Sequence, residues 1–180
     1  MPTNIENIRS YVFHHQDKVF LDTNVWMSIY GPIAHMDERS KIYSGILKEI
    51  KQNRSKIFVD VVIISEFINT FARMEFKRLC PNKKPEEFKD FRRSSIFKPV
   101  SDEIAIIINN ILNSASRLDT KFVDLDINAT LNTFKAGNHD FNDMLIADTC
   151  RKNKLILITN DFDFRDENIR ILTANRQLYN

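Results

Sequence analysis

The chain has 180 residues, 43% hydrophobic and 28% charged, with a formal net charge of +2. That is the profile of one soluble domain, large enough to bury a proper core. Its three glycines form neither Gly-x-Gly-x-x-Gly nor Gly-Lys-Ser/Thr, which excludes a Gly-rich phosphate cradle.

Residues 1 to 17 read as a short helix or arm, with Ile5, Ile8 and Val12 at helical spacing. Lys18-Val19-Phe20-Leu21 is a short apolar strand ending at Asp22-Thr23-Asn24. A helix or turn follows from Val25 to Tyr30, before the Gly31-Pro32 break. Arg39 to Lys51 is a helix by its spacing of Ile42, Ile46, Leu47 and Ile50. Lys56 to Val59 is the next strand. Asp60 then caps a helix reaching about Leu79, with a stripe at Ile64, Phe67, Ile68 and Phe71.

Residues 76 to 98 hold eight Lys or Arg against three acids, on a body that is otherwise mildly acidic. The phenylalanines at 76, 88, 91 and 97 read as anchors that hold a basic helical insert, about 76–100, onto the core; stacking on bases is the alternative. Ser101-Asp102-Glu103 opens the clearest helix, with Ile104, Ile107, Ile108, Ile111, Leu112 and Ala115 on one face. Phe122 to Leu125 is a strand, or an extended link into a helix around Ala129 to Phe134. A helix from Phe141 to Lys152 and strands at Leu155–Ile158 and 170–172 complete the set. Strands alternating with helices predict a single domain over 1–180. Its class is α/β: a three-layer α/β/α sandwich with a central parallel sheet of about four to five strands.

Cys80 and Cys150 stand alone, so neither a disulfide framework nor a zinc site is indicated and reduced thiols are expected. The N-terminus lacks a signal-peptide pattern and no apolar run is long enough to span a bilayer, so a cytoplasmic protein without a membrane partner is expected.

The chemistry lies in the acids. Asp22 falls at the carboxyl edge of its strand, where it or Asn24 also suits a simple helix cap. Glu66 lies away from its helix's apolar stripe, beside Asn69 and Arg73, and alone reads as a solvated glutamate. Asp140 reads as a helix cap. Asp143 precedes Met144-Leu145-Ile146-Ala147, which turns it towards the core. Asp161 and Asp163 alternate about Phe162 beyond the strand at 155–158, and one of them suits a turn former. Asp148 reads as an ordinary surface acid. Carboxylates gathered at strand ends and helix starts are costly unless they bind a cation or stay protonated. A set without His or Cys suits a hard ion, Mg²⁺ or Mn²⁺.

In sequence order, Leu21-Asp22-Thr23-Asn24, Ser65-Glu66, Asp143-Met144-Leu145-Ile146-Ala147 and Thr159-Asn160-Asp161-Phe162-Asp163-Phe164 resemble the PIN-domain nucleases. Within that family the pattern is most similar to the VapC-type toxins of toxin–antitoxin pairs. The resemblance covers about residues 18 to 172. It places the family's acids on Asp22, Glu66, Asp143 and Asp161, with Asp163 as a further acid and Asn24 and Thr159 as polar companions. Asp140 is an additional acid and the alternative third ligand. The resemblance implies Mg²⁺- or Mn²⁺-dependent hydrolysis of single-stranded or looped RNA leaving a 5′-phosphate, a type II toxin, an antitoxin partner and a homodimer. Arg73, Arg92 and Arg93 become candidates for contact with the RNA, and His139 a proton carrier or a surface-loop residue. The basic insert exceeds what a minimal member carries. A housekeeping RNA-processing nuclease and a catalytically silent PIN-like binding module are the alternatives. A haloacid-dehalogenase-type phosphatase is disfavoured, because it needs an acid where Asn24 stands.

Overall fold

Short aliphatic runs build the centre of the sheet. Val19, Phe20 and Leu21, and Ile156, Leu157 and Ile158, are buried along their whole length, as strands covered on both faces must be. The computed structural model describes residues 4–32, 34, 38–120, 122–137 and 140–179. Its strands are β1 (Asn4–Asn7), β2 (Lys18–Leu21), β3 (Lys56–Val59), β4 (Ser116–Arg117), β5 (Ile156–Ile158) and β6 (Arg170–Thr173). They form one sheet in the order β1-β6-β5-β2-β3-β4, parallel at every pairing. The helices among the described residues are α1 (Thr23–Tyr30), α2 (Glu38–Gln52), α3 (Val61–Leu79), α4 (Phe88–Phe91), α5 (Phe97–Ser114), α6 (Ile127–Lys135) and α7 (Phe141–Asn153). None is long and apolar enough to cross a membrane.

The order of the strands creates a switch point. From β2 the chain steps outward to β3 and β4, then returns to pair β5 on the other side of β2. Right-handed crossovers put the outbound and returning helices on opposite faces. Accordingly α1 packs with α2 and α3, and α3 with α5, while α6 and α7 pack together. The crevice opens where β2 and β5 diverge, at their carboxyl ends, the usual ligand position in open α/β sheets.

Four sequence expectations need correction. Residues 4 to 7 are a strand paired with β6, and a 3₁₀ turn follows at Ile8–Ser10. Ile8 is buried but Val12 is largely exposed, so their helical spacing was coincidental. With β1 and the two-residue β4, the sheet has six strands among the described residues and not four or five. Helix α5 begins at Phe97, ahead of Ser101, whose hydroxyl donates to Lys98 O and does not cap; Pro99 sits in the first turn, where its missing N–H is harmless. Residues 122–124 form a 3₁₀ turn and not a strand.

Asp60 does cap α3, accepting from Ile63 N–H at 3.0 Å. The helix buries Ile63, Phe67 and Phe71, with the expected Ile68 left partly exposed. Phe76, Phe88 and Phe91 are buried and Phe97 packs against them, with ring centroids 5.2 to 6.2 Å apart. The phenylalanines therefore anchor the basic segment, and their faces are not offered to bases.

Candidate functional site

Asp22 is the first residue past β2. Its N–H donates to Ile158 O at 3.0 Å, and the pairing of Leu21 with Ile158 puts Asp22 beside Thr159. Three donors then fix the buried carboxylate. Oδ1 accepts from Thr23 N–H at 2.6 Å, and Oδ2 accepts from Asn24 Nδ2 and Thr159 Oγ1, each at 2.6 Å. Such charge-assisted bonds are among the stronger ones a protein makes.

The companions are themselves held. Asn24 Oδ1 accepts from Asn160 N–H at 3.1 Å, and Thr159 Oγ1 accepts from Asp161 N–H at 3.0 Å. Tyr43, buried on α2, donates its hydroxyl to Asn160 Oδ1 at 3.1 Å and accepts from Ala174 N–H at 3.3 Å. Asn175 Nδ2 donates to Asn160 O at 3.1 Å. A chain of bonds thus runs from the core of α2 through the loop after β5 to Asp22. Tyr43→Phe should break it, leaving Ala174 N–H and the Asn160 side chain without a partner at a cost of about 1–3 kcal/mol. Urea denaturation measures this, and an unchanged midpoint would show that the hydroxyl does not hold the loop.

The other acids approach from the helices and the turn. Glu66, half-buried on α3, accepts from Thr23 Oγ1 at 3.1 Å. Asp143, half-buried in the first turn of α7, faces the same crevice electrostatically, since Asp22, Asp161, Asp140 and Glu66 all raise its pKa. Asp161 caps a 3₁₀ turn at Phe162–Asp166, accepting from Asp163 N–H at 3.0 Å. Asp140 is exposed and caps α7, its Oδ1 accepting from Asn142 N–H at 2.8 Å. Asp163 is exposed. Asp148 pairs with Lys152 and Arg151 on the surface of α7. His139 lies outside the described residues.

Burial pushes the Asp22 carboxyl up to about 7, against the hydrogen bond from Thr159, with the Glu66 charge adding to the rise. Asp143 is pushed up to about 7 by burial and then by the charge of Asp22. Glu66 is raised by burial, offset by its bond from Thr23. Crowded carboxylates of this kind titrate as a set and are a common mark of functional sites. Among the described residues no three of them already stand at chelating distance. The donor chemistry nevertheless fits a hard divalent ion: oxygen ligands only, with two groups that hold protons near neutrality in place of a cation.

Two grooves flank Glu66. One, of about 450 Å³, is lined by Ser65, Glu66, Asn69, Thr70, Arg73 and Asn142. The other, of about 250 Å³, is lined by Thr23, Asn24, Met27, Arg39 and Met74 among others. A cleft of about 490 Å³ lies instead at the amino ends of β2, β5 and β6. Its arginines are already paired, Arg151 with Glu167 and Arg170 with Glu6. Arg73, Arg92 and Arg93 are exposed, and the first two sit over the ring of Phe88.

Thr23, Tyr43, Asn160 and Asn175 escaped the sequence reading. Thr23 and Asn160 do adjoin the motif acids, which is the one local signal they carry. Tyr43 and Asn175 act from elements with no acid of the site on them.

The PIN domain family model matches residues 19–168. In overall structure the chain is similar to VapBC2 from Rickettsia felis, crystallised bound to a DNA fragment from its promoter. The TM-score is 0.50 at 15% identity, over 87% of this chain and 98% of that one. It is similar also to PAE2754 from Pyrobaculum aerophilum, with a TM-score of 0.50 at 15% identity, over 91% and 93%. At this identity the likeness is one of fold. No curated protein sequence matches the chain significantly.

Proposed function

Because the chain belongs to the PIN-domain family of nucleases, we propose that it is a divalent-metal-dependent endoribonuclease and the toxin of a toxin–antitoxin pair. The observation that carries this reading is the convergence of Asp22, Glu66, Asp143 and Asp161 on one crevice at the sheet's switch point, where burial and neighbouring carboxylates raise the pKa of Asp22, Glu66 and Asp143.

In this reading Asp22, Glu66, Asp143 and Asp161 hold Mg²⁺ or Mn²⁺, with Asp163 beside them. Such an ion, when bound, would acidify a water and offset charge on the phosphate under attack. The residues of the chain do the positioning. Thr23, Asn24 and Thr159 lock the Asp22 carboxylate by three hydrogen bonds, so that one ligand is aimed before the substrate arrives. Thr23 joins two acids, since its N–H serves Asp22 and its hydroxyl serves Glu66. Asp22 and Asp143 must shed their protons to serve as ligands, so affinity for the ion rises with pH up to and beyond about 7.

The VapBC2 structure similar to this chain supports an antitoxin partner, and the family resemblance supports a homodimer and RNA as substrate. The test is cleavage of single-stranded RNA by the full chain in Mn²⁺ or Mg²⁺, with the products typed for a 5′-phosphate. EDTA should stop cleavage. Activity persisting in EDTA would sink the metal mechanism, and no cleavage in either ion would favour the silent binding module. Co-expression with the adjacent reading frame separates a toxin, whose inhibition it relieves, from a housekeeping nuclease.

A further inference from the structure

The groove of about 450 Å³ beside Glu66 does not end at the acids. Its floor is one face of α3: Glu66, Asn69, Thr70 and Arg73 follow at i, i+3, i+4 and i+7, so they stack along a single stripe. Seven residues of helix advance roughly 10 Å. Asn142 closes the groove from α7. At the far end Arg73 holds its guanidinium carbon 4.7 Å from the Phe88 ring centroid, and Arg92 reaches the same ring at 5.3 Å. Among the described residues neither arginine has a carboxylate partner. Phe88 is itself fixed, packed against Phe76 at 5.6 Å and Phe91 at 6.2 Å. One buried ring therefore carries both cations.

We infer that Phe88, Arg73 and Arg92 form a phosphate clamp that takes the RNA backbone a few nucleotides away from the bond being cut. The inference rests on the nuclease reading and adds the path of the substrate to it. A guanidinium attracted to an aromatic face keeps its fork of N–H donors for two oxygens of a phosphate. Side-chain freedom that is already lost is not lost again on binding. The uncharged amides and hydroxyls between clamp and acids suit a sugar-phosphate strand. Over roughly 10 Å a stacked strand advances about three nucleotides. An acidic peptide is the weaker fit, because the divalent ion proposed at the acid end of the groove calls for a phosphate there. Arg92 and Arg73 touch the strand; Phe88 is a positioning residue. Lys89, exposed on the same short helix, has no place in the clamp.

The test uses a non-cleavable single-stranded RNA of about ten nucleotides and the full chain in Mg²⁺, with binding followed by anisotropy across a salt series. Arg73→Ala and Arg92→Ala should each weaken binding and flatten the slope of log K against log salt by about 0.7. Lys89→Ala should leave the slope where it is. Phe88→Leu, which keeps an apolar side chain, should weaken binding severalfold, and Phe88→Tyr, which keeps the ring, should restore it; equal loss with both would overturn the positioning role. Wild-type slopes for both arginine variants, in a protein that binds and cleaves RNA, would overturn the clamp and leave the nuclease standing. The same holds for a loss with Lys89→Ala as large as with Arg92→Ala, or for arginine variants that lose affinity for oligoglutamate alone. A wild type that neither binds nor cleaves RNA in Mg²⁺ or Mn²⁺ overturns the reading beneath.

Discussion

Asp143→Asn should lower the cleavage rate by about a hundred- to a thousandfold, the scale seen when one preorganised electrostatic group is removed from a transition state. Asp140→Asn should stay within about tenfold of wild type. The two acids sit three residues apart and differ in what they face. Asp143 is half-buried and feels Asp22 and Asp161 most strongly after burial itself. Asp140 is exposed, and its carboxylate is taken up by the Asn142 N–H at the start of α7. Asparagine caps helices about as well as aspartate, so that substitution leaves α7 intact. Cleavage of one labelled RNA by both variants in Mn²⁺, with far-UV CD as the folding control, decides between them. A dead Asp140→Asn beside an active Asp143→Asn reverses the choice of third ligand.

The second large effect is on stability, and its sign depends on the solution. Asp22 and Asp143 have folded-state pKa values of about 7, against about 3.9 for an unperturbed aspartate. Below about pH 4 both states are protonated and the groups contribute nothing. Between about 4 and 7 the folded chain binds protons that the unfolded chain has released, so stability falls as pH rises. Above about 7 the full destabilisation is present. Asp143 accepts no hydrogen bond among the described residues, so its amide loses only the repulsion. In EDTA at pH 8, Asp143→Asn should therefore melt above wild type, by on the order of 1–2 kcal/mol or about 5 °C, and at pH 4 the difference should vanish. Millimolar Mn²⁺ should invert the order. An ion that binds only the folded wild type adds about 2.7 kcal/mol at one hundred times its dissociation constant. If wild type gains nothing from Mn²⁺, or if the variant melts lower in EDTA, the acids are structural caps and not a metal site.

The parts of this fold that could be read from sequence are those whose residues carry their own reason to be where they are. Strands β2, β3, β5 and β6 are apolar runs, and the acids after β2 and β5 mark the carboxyl edge of a parallel sheet. Strand β1 has no such mark. Asn4-Ile5-Glu6-Asn7 is polar and partly exposed, and it becomes a strand only because β6 offers an open edge 166 residues away in its register. The two residues of β4 carry no period. At the site, Asp22 was legible and its fixation only partly so. Asn24 and Thr159 announced themselves by position, whereas Tyr43 looked like one more apolar residue near the Ile42–Ile50 stripe of α2. Its hydroxyl acquires a role only when β5 and β6 lay their following loops over it. Glu66 alone reads as solvated. The Thr23 hydroxyl at 3.1 Å changes that, and no local pattern foretells it.

The side-by-side placement of Asp22 and Thr159 joins residues 137 apart in the chain, and it sets a clock. A ribosome adding about 5–20 residues per second needs on the order of ten seconds to pass from one to the other. Once Lys56–Val59 is made, β2 has β3 on one side and no β5 on the other for the rest of that interval, while Asp143 and Asp161 are still unmade or unplaced. A chain that ends before β5 lacks Thr159 and Asp161, so the crevice described above is incomplete in it. The bridge between Glu6 and Arg170 spans 164 residues and closes later still. For a protein proposed to cut RNA, the strand order defers completion of the site until synthesis is nearly done.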